Sequence, residues 1–300
     1  MNYDVIIIGG SFAGLSAAMQ LVRAQRNVLV IDANLPRNRF ASASYGVFCL
    51  DGKTPDEIRK TALEQLFAYP TFTLWQDAVI TTEKLQNVFK VRTLQDIEAT
   101  GRRLILACGI ADKLPELPGI KKYWGKNVVH CPYCHGYEIR NTELGVLATS
   151  DVSLHQAAML PDWGNTTLFT QGMYTPEGDL LSLLECRKVR IEDTPVVAVN
   201  GNDAKMESVT LAGGRIIPLG GLYVSPQIEV HAPFLKQLSL ALADSPAGKV
   251  VCVDAFKESS VKGVFVAGDL SNPMQSGTLA VASGTLAGIG AHKSLIFDQT

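Results

Sequence analysis

The sequence predicts an α/β protein made of two doubly wound domains, each with a parallel sheet covered by helices. The chain has 300 residues, enough for two domains of ordinary size. Val5-Ile6-Ile7-Ile8 is a β-branched run without alternation, which is typical of a parallel strand buried on both faces. A second β-α-β pattern begins within residues 120–172, so we expect a second sheet in the middle of the chain.

The composition is that of a globular protein. Hydrophobic residues make up 47% and charged residues 19%, which excludes disorder, collagen and coiled coil for the chain as a whole. The formal net charge of −2 gives no reason to expect nucleic acid or an anionic membrane as a partner. Glycines interrupt the uncharged stretch 5–22, and the N-terminus lacks a signal-peptide pattern. With only six cysteines, we expect a cytoplasmic, reducing location.

The first predicted domain begins with the strand at Val5 and a glycine turn. A helix over about 15–23 and a second strand over 27–32 follow, and the second strand ends in an acidic residue. Residues 54–68 predict an amphipathic helix with Pro in its first turn. Strands of a small antiparallel insertion, and its return to the main sheet, are predicted over residues 78–81, 87–92 and 103–108.

A linker separates the two predicted domains at Leu114–Gly119, where proline and glycine punctuate the chain. The elements predicted after it are strands over 144–148, 166–170, 250–254 and 264–267, and helices over 151–160 and 277–291. The last of these helices is rich in small residues, which favours close packing on another layer. We place the first domain at residues 1–115 and 246–300 and the second at 116–245.

The glycine turn carries the first functional signal. Residues 9–14, Gly-Gly-Ser-Phe-Ala-Gly, occupy a G-x-G-x-x-G frame with Ser11 at the second glycine position. Gly9 permits the tight turn, Ser11 lets the backbone approach a pyrophosphate, and Gly14 lets the helix pack on the strand. Asp32 is placed to accept a hydrogen bond from a ribose hydroxyl. Another kind of α/β protein with a glycine-rich turn is the alternative, but strand, turn, helix, strand and acid occur in order. The pattern predicts dinucleotide binding.

A C-x-x-C motif, Cys131-Pro132-Tyr133-Cys134, carries the second signal. Two thiols at this spacing can close a disulfide, and the motif commonly lowers the pKa of one of them. Zinc would need two further ligands at suitable spacing, so we predict a redox pair and no metal. His135 is the candidate group that moves protons, whereas His130 favours a structural role. The remaining cysteines are predicted to be core residues: Cys49, Cys108, Cys186 and Cys252.

Together with Gly263–Asp269, these two motifs resemble the low-molecular-weight thioredoxin reductase family over nearly the whole chain. The resemblance implies a discontinuous Rossmann-like FAD domain, an inserted NAD(P)-like domain and a homodimer. It also implies that Cys134 exchanges electrons with the flavin and that Cys131 is the interchange thiol. FAD contacts are implied at Gly9, Ser11, Phe12, Ala13, Gly14, Asp32, Ala33, Arg37, Asn38, Arg39, Val79, Ala107, Cys108, Gly109, Gly268, Asp269, Gln275 and Ser276.

The departures from that family concern NADPH. Its members bind NADPH on a second G-x-G-x-x-A turn, but here residues 148–153 read Ala-Thr-Ser-Asp-Val-Ser, without glycine and with a carboxylate. The basic cluster that grips the 2′-phosphate in the family is replaced by residues 170–174, which contain no basic side chain. The string Cys131–Glu138 resembles a narrower branch that includes dithiol oxidases of gliotoxin- and holomycin-type metabolites. We therefore expect no NADPH site.

These observations favour an FAD enzyme that exchanges electrons between Cys131–Cys134 and a dithiol or disulfide substrate, protein or small molecule. Oxygen or a ferredoxin-like protein would be the electron partner, and the sequence leaves the direction of electron flow open. One alternative is an NAD(P)H-dependent thioredoxin- or glutaredoxin-type reductase with an atypical nucleotide site. The other is a non-enzymatic flavin-binding redox sensor or scaffold, which would not need the second, resolving thiol.

Overall fold

A computed structural model describes residues 2–230 and 232–298 of the chain. The strands are β1 (Asn2–Ile8), β2 (Val28–Ile31), β3 (Phe72–Trp75), β4 (Val79–Lys84), β5 (Phe89–Thr93), β6 (Glu98–Leu106), β7 (Ala111–Lys113), β8 (Val128–Val129), β9 (Glu143–Leu147), β10 (Asn165–Phe169), β11 (Arg190–Glu192), β12 (Val196–Gly201), β13 (Met206–Leu211), β14 (Ile216–Pro218), β15 (Gly221–Val224), β16 (Gln227–Glu229), β17 (Leu242–Ser245), β18 (Gly248–Val251) and β19 (Val264–Val266). The helices are α1 (Phe12–Arg23), α2 (Pro55–Phe67), α3 (Ile120–Tyr123), α4 (Pro132–His135), α5 (Val152–Met159), α6 (Gly178–Cys186), α7 (Pro233–Gln237) and α8 (Gly277–Phe297).

The chain divides into two compact units. Unit 1 comprises Met1–Arg39, Pro55–Ala111 and Ile228–Thr300, and unit 2 comprises Phe40–Thr54 and Asp112–Gln227. The chain returns from unit 2 to unit 1 at residues 227/228, whereas the sequence predicted this boundary at 245/246. The reason is that α7 belongs to unit 1, since Phe234, Leu235 and Leu238 join a buried cluster with residues of β1 and β2.

Unit 1 is built on a sheet of order β3-β2-β1-β6-β5-β4, with β19 also paired to β6. The pairs that β1 makes with β2 and β6 are parallel, as is the β6–β19 pair, whereas β4-β5-β6 is antiparallel. Val5 and Ile7 pack in one buried cluster, and Ile6 and Ile8 in another. The predicted doubly covered parallel strand and the antiparallel insertion are both confirmed.

The small-residue helix α8 packs directly on α1. A Cβ added at Gly284 would overlap the carbonyl oxygen of Ala13, and one added at Gly288 would lie 2.6 Å from that of Ala17. Ser16 on α1 donates a hydrogen bond to the Val281 carbonyl at 2.8 Å. The predicted close approach is thus confirmed, and the helix runs six residues past the predicted end at 291, to Phe297.

Unit 2 contains a five-stranded parallel sheet of order β11-β10-β9-β15-β8 and a three-stranded antiparallel sheet, β12-β13-β14. Residues of β15 alternate between two buried clusters: Leu222 and Val224 face one, and Tyr223 faces the other. The second β-α-β unit predicted within 120–172 is confirmed as β9-α5-β10. None of the helices in the described part of the chain is long and apolar enough to span a membrane.

Candidate functional site

The glycine turn joins the end of β1 to the start of α1. Gly9 has φ +107°, a backbone conformation that residues with a Cβ rarely adopt, and a Cβ there would overlap the Ala107 carbonyl oxygen. A Cβ at Gly14 would overlap the carbonyl oxygen of Gly9, so α1 begins in direct contact with the strand end. Ser11 precedes the helix without making a side-chain cap. The first-turn N–H groups of α1 therefore keep the capacity to bind an anion.

The other implied FAD motifs meet this turn within unit 1. Gly9 packs against the backbone of Ala107 and Cys108, which follow β6. A Cβ at Gly268 would lie 3.1 Å from the Cβ of Ala13, and the Gly268 N–H donates to Ser283 Oγ at 2.8 Å. Three motifs that are far apart in sequence thus form one cradle that a side chain would fill, and this cradle fits a dinucleotide pyrophosphate.

Both acidic residues of the predicted site are held by arginines. Arg59 of α2 donates to Asp32 at 2.8 Å, and both side chains are less than one-fifth exposed. Arg37 donates to Asp269 at 3.1 Å with similar burial. These pairs fix the carboxylate positions at the ends of β2 and β19. Arg59 was missed by the sequence analysis, because its only local signal was a place on the polar face of an amphipathic helix.

The remaining implied FAD residues lie in unit 1 at strand ends, in turns or before a helix. Val79 starts β4 and is only 7% exposed, with its side chain in a buried cluster. Gln275 donates its amide to the Pro273 carbonyl at 3.0 Å, and Ser276 immediately precedes α8. The rest follow strand ends or form a short 3-10 turn: Ala33 after β2, Gly109 after β6, and Arg37, Asn38 and Arg39 in the turn.

The prediction that the four other cysteines are core residues is wrong. All four are exposed: Cys49, Cys108, Cys186 and Cys252. Cys108, Cys186 and Cys252 lie where a strand has ended or a helix is ending, and Cys49 lies in a loop, so apolar sequence neighbours do not carry these thiols into the core. Cys49 sits in a loop with φ +65°, and Cys252 follows β18.

The cysteine pair lies in unit 2, directly after β8. Cys131 precedes the single turn of α4, and Cys134 lies within it. Their sulfur atoms face each other at 2.6 Å, and both residues are half-buried. The N–H groups of Cys134 and His135 both point at the Cys131 carbonyl, at 3.3 Å. The turn therefore presents the two thiols in a position to exchange a disulfide.

Residues far away in sequence brace this turn. The Trp163 ring lies edge-on to Tyr133 at 5.7 Å between centroids, and a Cβ at Gly136 would lie 2.7 Å from Trp163. Gln156 of α5 donates its amide to the carbonyl oxygen of His130 at 2.6 Å. Sequence patterns did not indicate Trp163 or Gln156, because Gln156 lies on α5 and Trp163 lies shortly after it, in a segment separate from the C-x-x-C motif.

His135 is the titratable neighbour of the pair. Both ring nitrogens are buried and have no hydrogen-bond partner within the described residues. Burial lowers the pKa of His135 below its usual value of 6.5. The imidazole is therefore neutral near pH 7 and able to accept a proton from a thiol.

We expect this burial to make stability depend on pH. Because the folded pKa of His135 is lowered, the unfolded chain binds a proton there first as the pH falls below about 6.5. The native state should thus lose stability between about pH 7.5 and 5.5, and His135→Gln should remove part of that loss. Thermal unfolding midpoints across this range measure it. His155→Gln, at an exposed position of α5, is the control and should retain the wild-type profile. Identical profiles for His135→Gln and the wild type would contradict the assignment.

The turn between β9 and α5 stands where the family binds NADPH, and its polar groups are hydrogen-bonded within the chain. The Thr149 N–H donates to Ser153 Oγ at 3.2 Å, and Thr149 Oγ1 donates to the Ser225 carbonyl at 2.6 Å. Tyr174 donates its hydroxyl to the Thr149 carbonyl at 2.8 Å. At the end of β10, Thr170 donates to the Asp193 carboxylate at 2.7 Å. The polar groups of Thr149 are thus occupied within the chain, and a carboxylate stands at the end of β10.

Comparison with a family model and with curated proteins agrees with the family that the sequence motifs resemble. Residues 3–284 match the model of the family described as pyridine nucleotide-disulphide oxidoreductase. The chain is 32% identical over 306 residues to "Thioredoxin reductase tcpT" of Claviceps purpurea, covering 98% of this chain and 95% of that protein.

Solved structures agree in fold. The oxidoreductase from Agrobacterium tumefaciens superposes with a TM-score of 0.95 at 43% identity and covers 100% of both chains. The structure of HlmI superposes with a TM-score of 0.90 at 28% identity, covering 98% of this chain and 93% of that one. The predicted fold of the thioredoxin reductase type is confirmed.

Proposed function

This chain belongs to the pyridine nucleotide-disulphide oxidoreductase family, and we propose that it is an FAD-dependent thiol–disulfide oxidoreductase that works without NADPH. As a thioredoxin reductase-like flavoprotein it uses FAD, for which the glycine cradle of unit 1 is suited. When bound, FAD supplies the two-electron redox chemistry that links Cys131–Cys134 to an electron partner, which we propose to be oxygen or a ferredoxin-like protein.

The observation that carries the NADPH-independent part is the turn at residues 148–153. A pyrophosphate needs free backbone N–H groups and close backbone approach at such a turn. Here the Thr149 N–H is taken by Ser153, and Asp151 precedes the helix with its carboxylate. The Asp193 carboxylate stands by Thr170, near where a 2′-phosphate would need a cation. The occupied N–H of Thr149 and the two carboxylates oppose binding of the NADPH phosphates.

The cysteine chemistry follows from the geometry of α4. In the reducing direction, the Cys131 thiolate attacks a substrate disulfide, forming a mixed disulfide and releasing one substrate thiolate. Cys134 then attacks the Cys131 sulfur, which releases the second substrate thiolate and leaves the Cys131–Cys134 disulfide. The same two steps run backwards when a substrate dithiol is oxidised. Neutral His135 accepts the proton of the attacking thiol or returns it to the leaving sulfur.

An anaerobic visible spectrum of the holoenzyme tests the proposal. The oxidised flavin band should persist during NADPH addition, because the second turn offers no pyrophosphate site, and should bleach with dithiothreitol. Recovery of the band when air is admitted supports oxygen as the partner, and its absence supports a ferredoxin-like protein. The Cys131→Ser/Cys134→Ser double variant is the control, which should keep its flavin band with dithiothreitol. Rapid bleaching by NADPH would overturn the proposal in favour of a nicotinamide-dependent reductase.

A further inference from the structure

Tyr223 is a buried tyrosine that the chemistry above does not use. Its side chain is 0% exposed, and its hydroxyl finds no hydrogen-bond partner within the described residues. A buried hydroxyl without a partner is uncommon in a folded protein, because the group loses its hydrogen bonds to water and forms none within the protein to replace them. A phenylalanine would fill the same space without that cost, so the hydroxyl calls for an acceptor that exists in another state of the protein.

The strand register places Tyr223 beside the start of the redox turn. Tyr223 of β15 pairs with Val129, the last residue of β8, and the next residues of the chain are His130 and Cys131. Neighbouring side chains on one sheet face lie close together. The same buried cluster includes Trp163 at its margin, the ring that packs on Tyr133 and Gly136. Tyr223 therefore lies on the sheet face that supports α4.

The electrostatics agree with this placement. Burial raises the pKa of the Tyr223 hydroxyl, and the negative charges of Cys131, Glu138 and Cys134 raise it further. The phenol is therefore protonated at all physiological pH values and is within electrostatic reach of both sulfurs. It acts as a donor of a hydrogen bond and cannot act as an anion.

We propose that the Tyr223 hydroxyl donates a hydrogen bond to the thiolate of the reduced Cys131–Cys134 pair and thereby stabilises the reduced form. The inference rests on the proposed function, in which this pair is the redox centre. Reduction adds two electrons and one proton to the disulfide, breaks the S–S bond and yields one thiol and one thiolate. The Tyr223 proton stays on oxygen throughout. In the structure the two sulfurs are not bonded to each other as a disulfide but face each other at 2.6 Å, and the hydroxyl has no partner among the described residues. A thiolate carries a full charge and is a stronger acceptor than a neutral thiol or a disulfide.

Other titratable groups near the pair also affect the pKa values of its thiols, so the experiment must control for them. Around the pair these are His130 after β8, Cys131, Cys134 and His135 at α4, and Glu138 after α4. Among the elements packed around Tyr223, β9, which pairs with β15, carries Glu143, and α5 carries His155. Glu138 is the competing acceptor for the hydroxyl, because its charge also acts on Tyr223. If the Tyr223 hydroxyl donated to Glu138 instead, removal of the hydroxyl would leave the pKa values of the two thiols unchanged.

Tyr223→Phe removes the hydroxyl and keeps the ring. In reduced holoenzyme carrying Cys131→Ser or Cys134→Ser, the rate at which iodoacetamide alkylates the remaining thiol of the pair, read on its own peptide by mass spectrometry and followed against pH, gives the pKa of that thiol; the four exposed cysteines are read on separate peptides. We expect Tyr223→Phe to raise the lower of the two thiol pKa values by about one unit, the effect of one hydrogen bond to a charged group. Tyr123→Phe is the matched control, since Tyr123 is also buried in unit 2, at 3% exposure, but packs in the opposite cluster.

Two further measurements separate this role from a structural one. Titration of the pair with dithiothreitol redox buffers, read by mass spectrometry, should show the dithiol–disulfide equilibrium moved about tenfold toward the disulfide, or about 30 mV. The thermal midpoint of oxidised Tyr223→Phe should equal or exceed that of the wild type, because no hydrogen bond is lost. After reduction that advantage should disappear. A tyrosine needed only for packing would give no such dependence on redox state.

The outcomes for the two proposals are distinguishable. If the wild-type pair does not titrate as a disulfide, the proposed function fails. If the pair titrates but Tyr223→Phe leaves both thiol pKa values and the equilibrium unchanged, only the Tyr223 inference is overturned, and Glu138 becomes the acceptor. A rise in thiol pKa in the Tyr123→Phe control equal to that in Tyr223→Phe would also overturn it.

Discussion

A Cys131→Ser variant is expected to lose thiol–disulfide turnover by at least about a thousandfold, as removal of a covalent nucleophile does in other enzymes. The hydroxyl of serine is not ionised near neutral pH and cannot form a disulfide, so neither the attack on substrate nor the mixed disulfide is possible. The fold should be unaffected, because Cys131 is half-buried and its backbone carbonyl, which accepts the N–H groups of α4, remains. Turnover of a generic dithiol or disulfide substrate, with flavin content as the check on folding, measures the effect.

The matched control for this prediction is Cys186→Ser. Cys186 is an exposed cysteine in the same unit, at the end of α6. Its replacement should leave turnover within about twofold, the scale of a surface substitution of a few tenths of a kcal/mol. Equal loss in both variants would show that the activity depends on thiols in general and would remove Cys131 from the mechanism.

Gly14→Ala is expected to abolish FAD retention and to destabilise unit 1 by about 3 kcal/mol or more. The added Cβ would overlap the carbonyl oxygen of Gly9, and both atoms belong to backbone held by β1 and α1. The helix must therefore move away from the strand end, which takes its first-turn N–H groups out of the pyrophosphate position. The flavin-to-protein absorbance ratio of purified protein and its thermal midpoint measure the two effects.

A glycine with positive φ in the other unit separates local damage at the cradle from general destabilisation. Gly213 lies between β13 and β14 with φ +91°, and a Cβ there would meet nothing within 4 Å. Gly213→Ala should cost about 1–2 kcal/mol of backbone strain but leave the flavin ratio at the wild-type value. A full flavin complement in Gly14→Ala would show that the turn at residues 9–14 does not hold the cofactor.

Much of the fold was predictable because local sequence encodes it. The unbroken β-branched run at Val5 predicted a strand buried on both faces, and β1 has one buried cluster on each side. The insertion strands, the second β-α-β unit and the small-residue helix were likewise predicted from runs of a few residues. Periodicity and glycine placement are properties of neighbours in the chain, so they survive without knowledge of the tertiary structure.

Of the candidate site, the motifs were predictable but their partners were not. The C-x-x-C pair and the glycine turn are contiguous strings, whereas Arg59 beside Asp32, Gln156 at the His130 carbonyl and the buried Tyr223 hydroxyl lie on separate elements. Residues 40–54 belong to unit 2 although they are surrounded in sequence by unit 1. Cys49 is exposed although its neighbours are apolar.

By itself, then, the sequence determined the parallel architecture, the first nucleotide turn and the redox pair, since each depends on residues within one short segment. Only the tertiary structure decided which side chains brace those segments and which thiols reach solvent. The physical reason is that burial and hydrogen bonding are settled when distant elements pack, and strand register, rather than sequence distance, brought Tyr223 beside the residue that leads into Cys131.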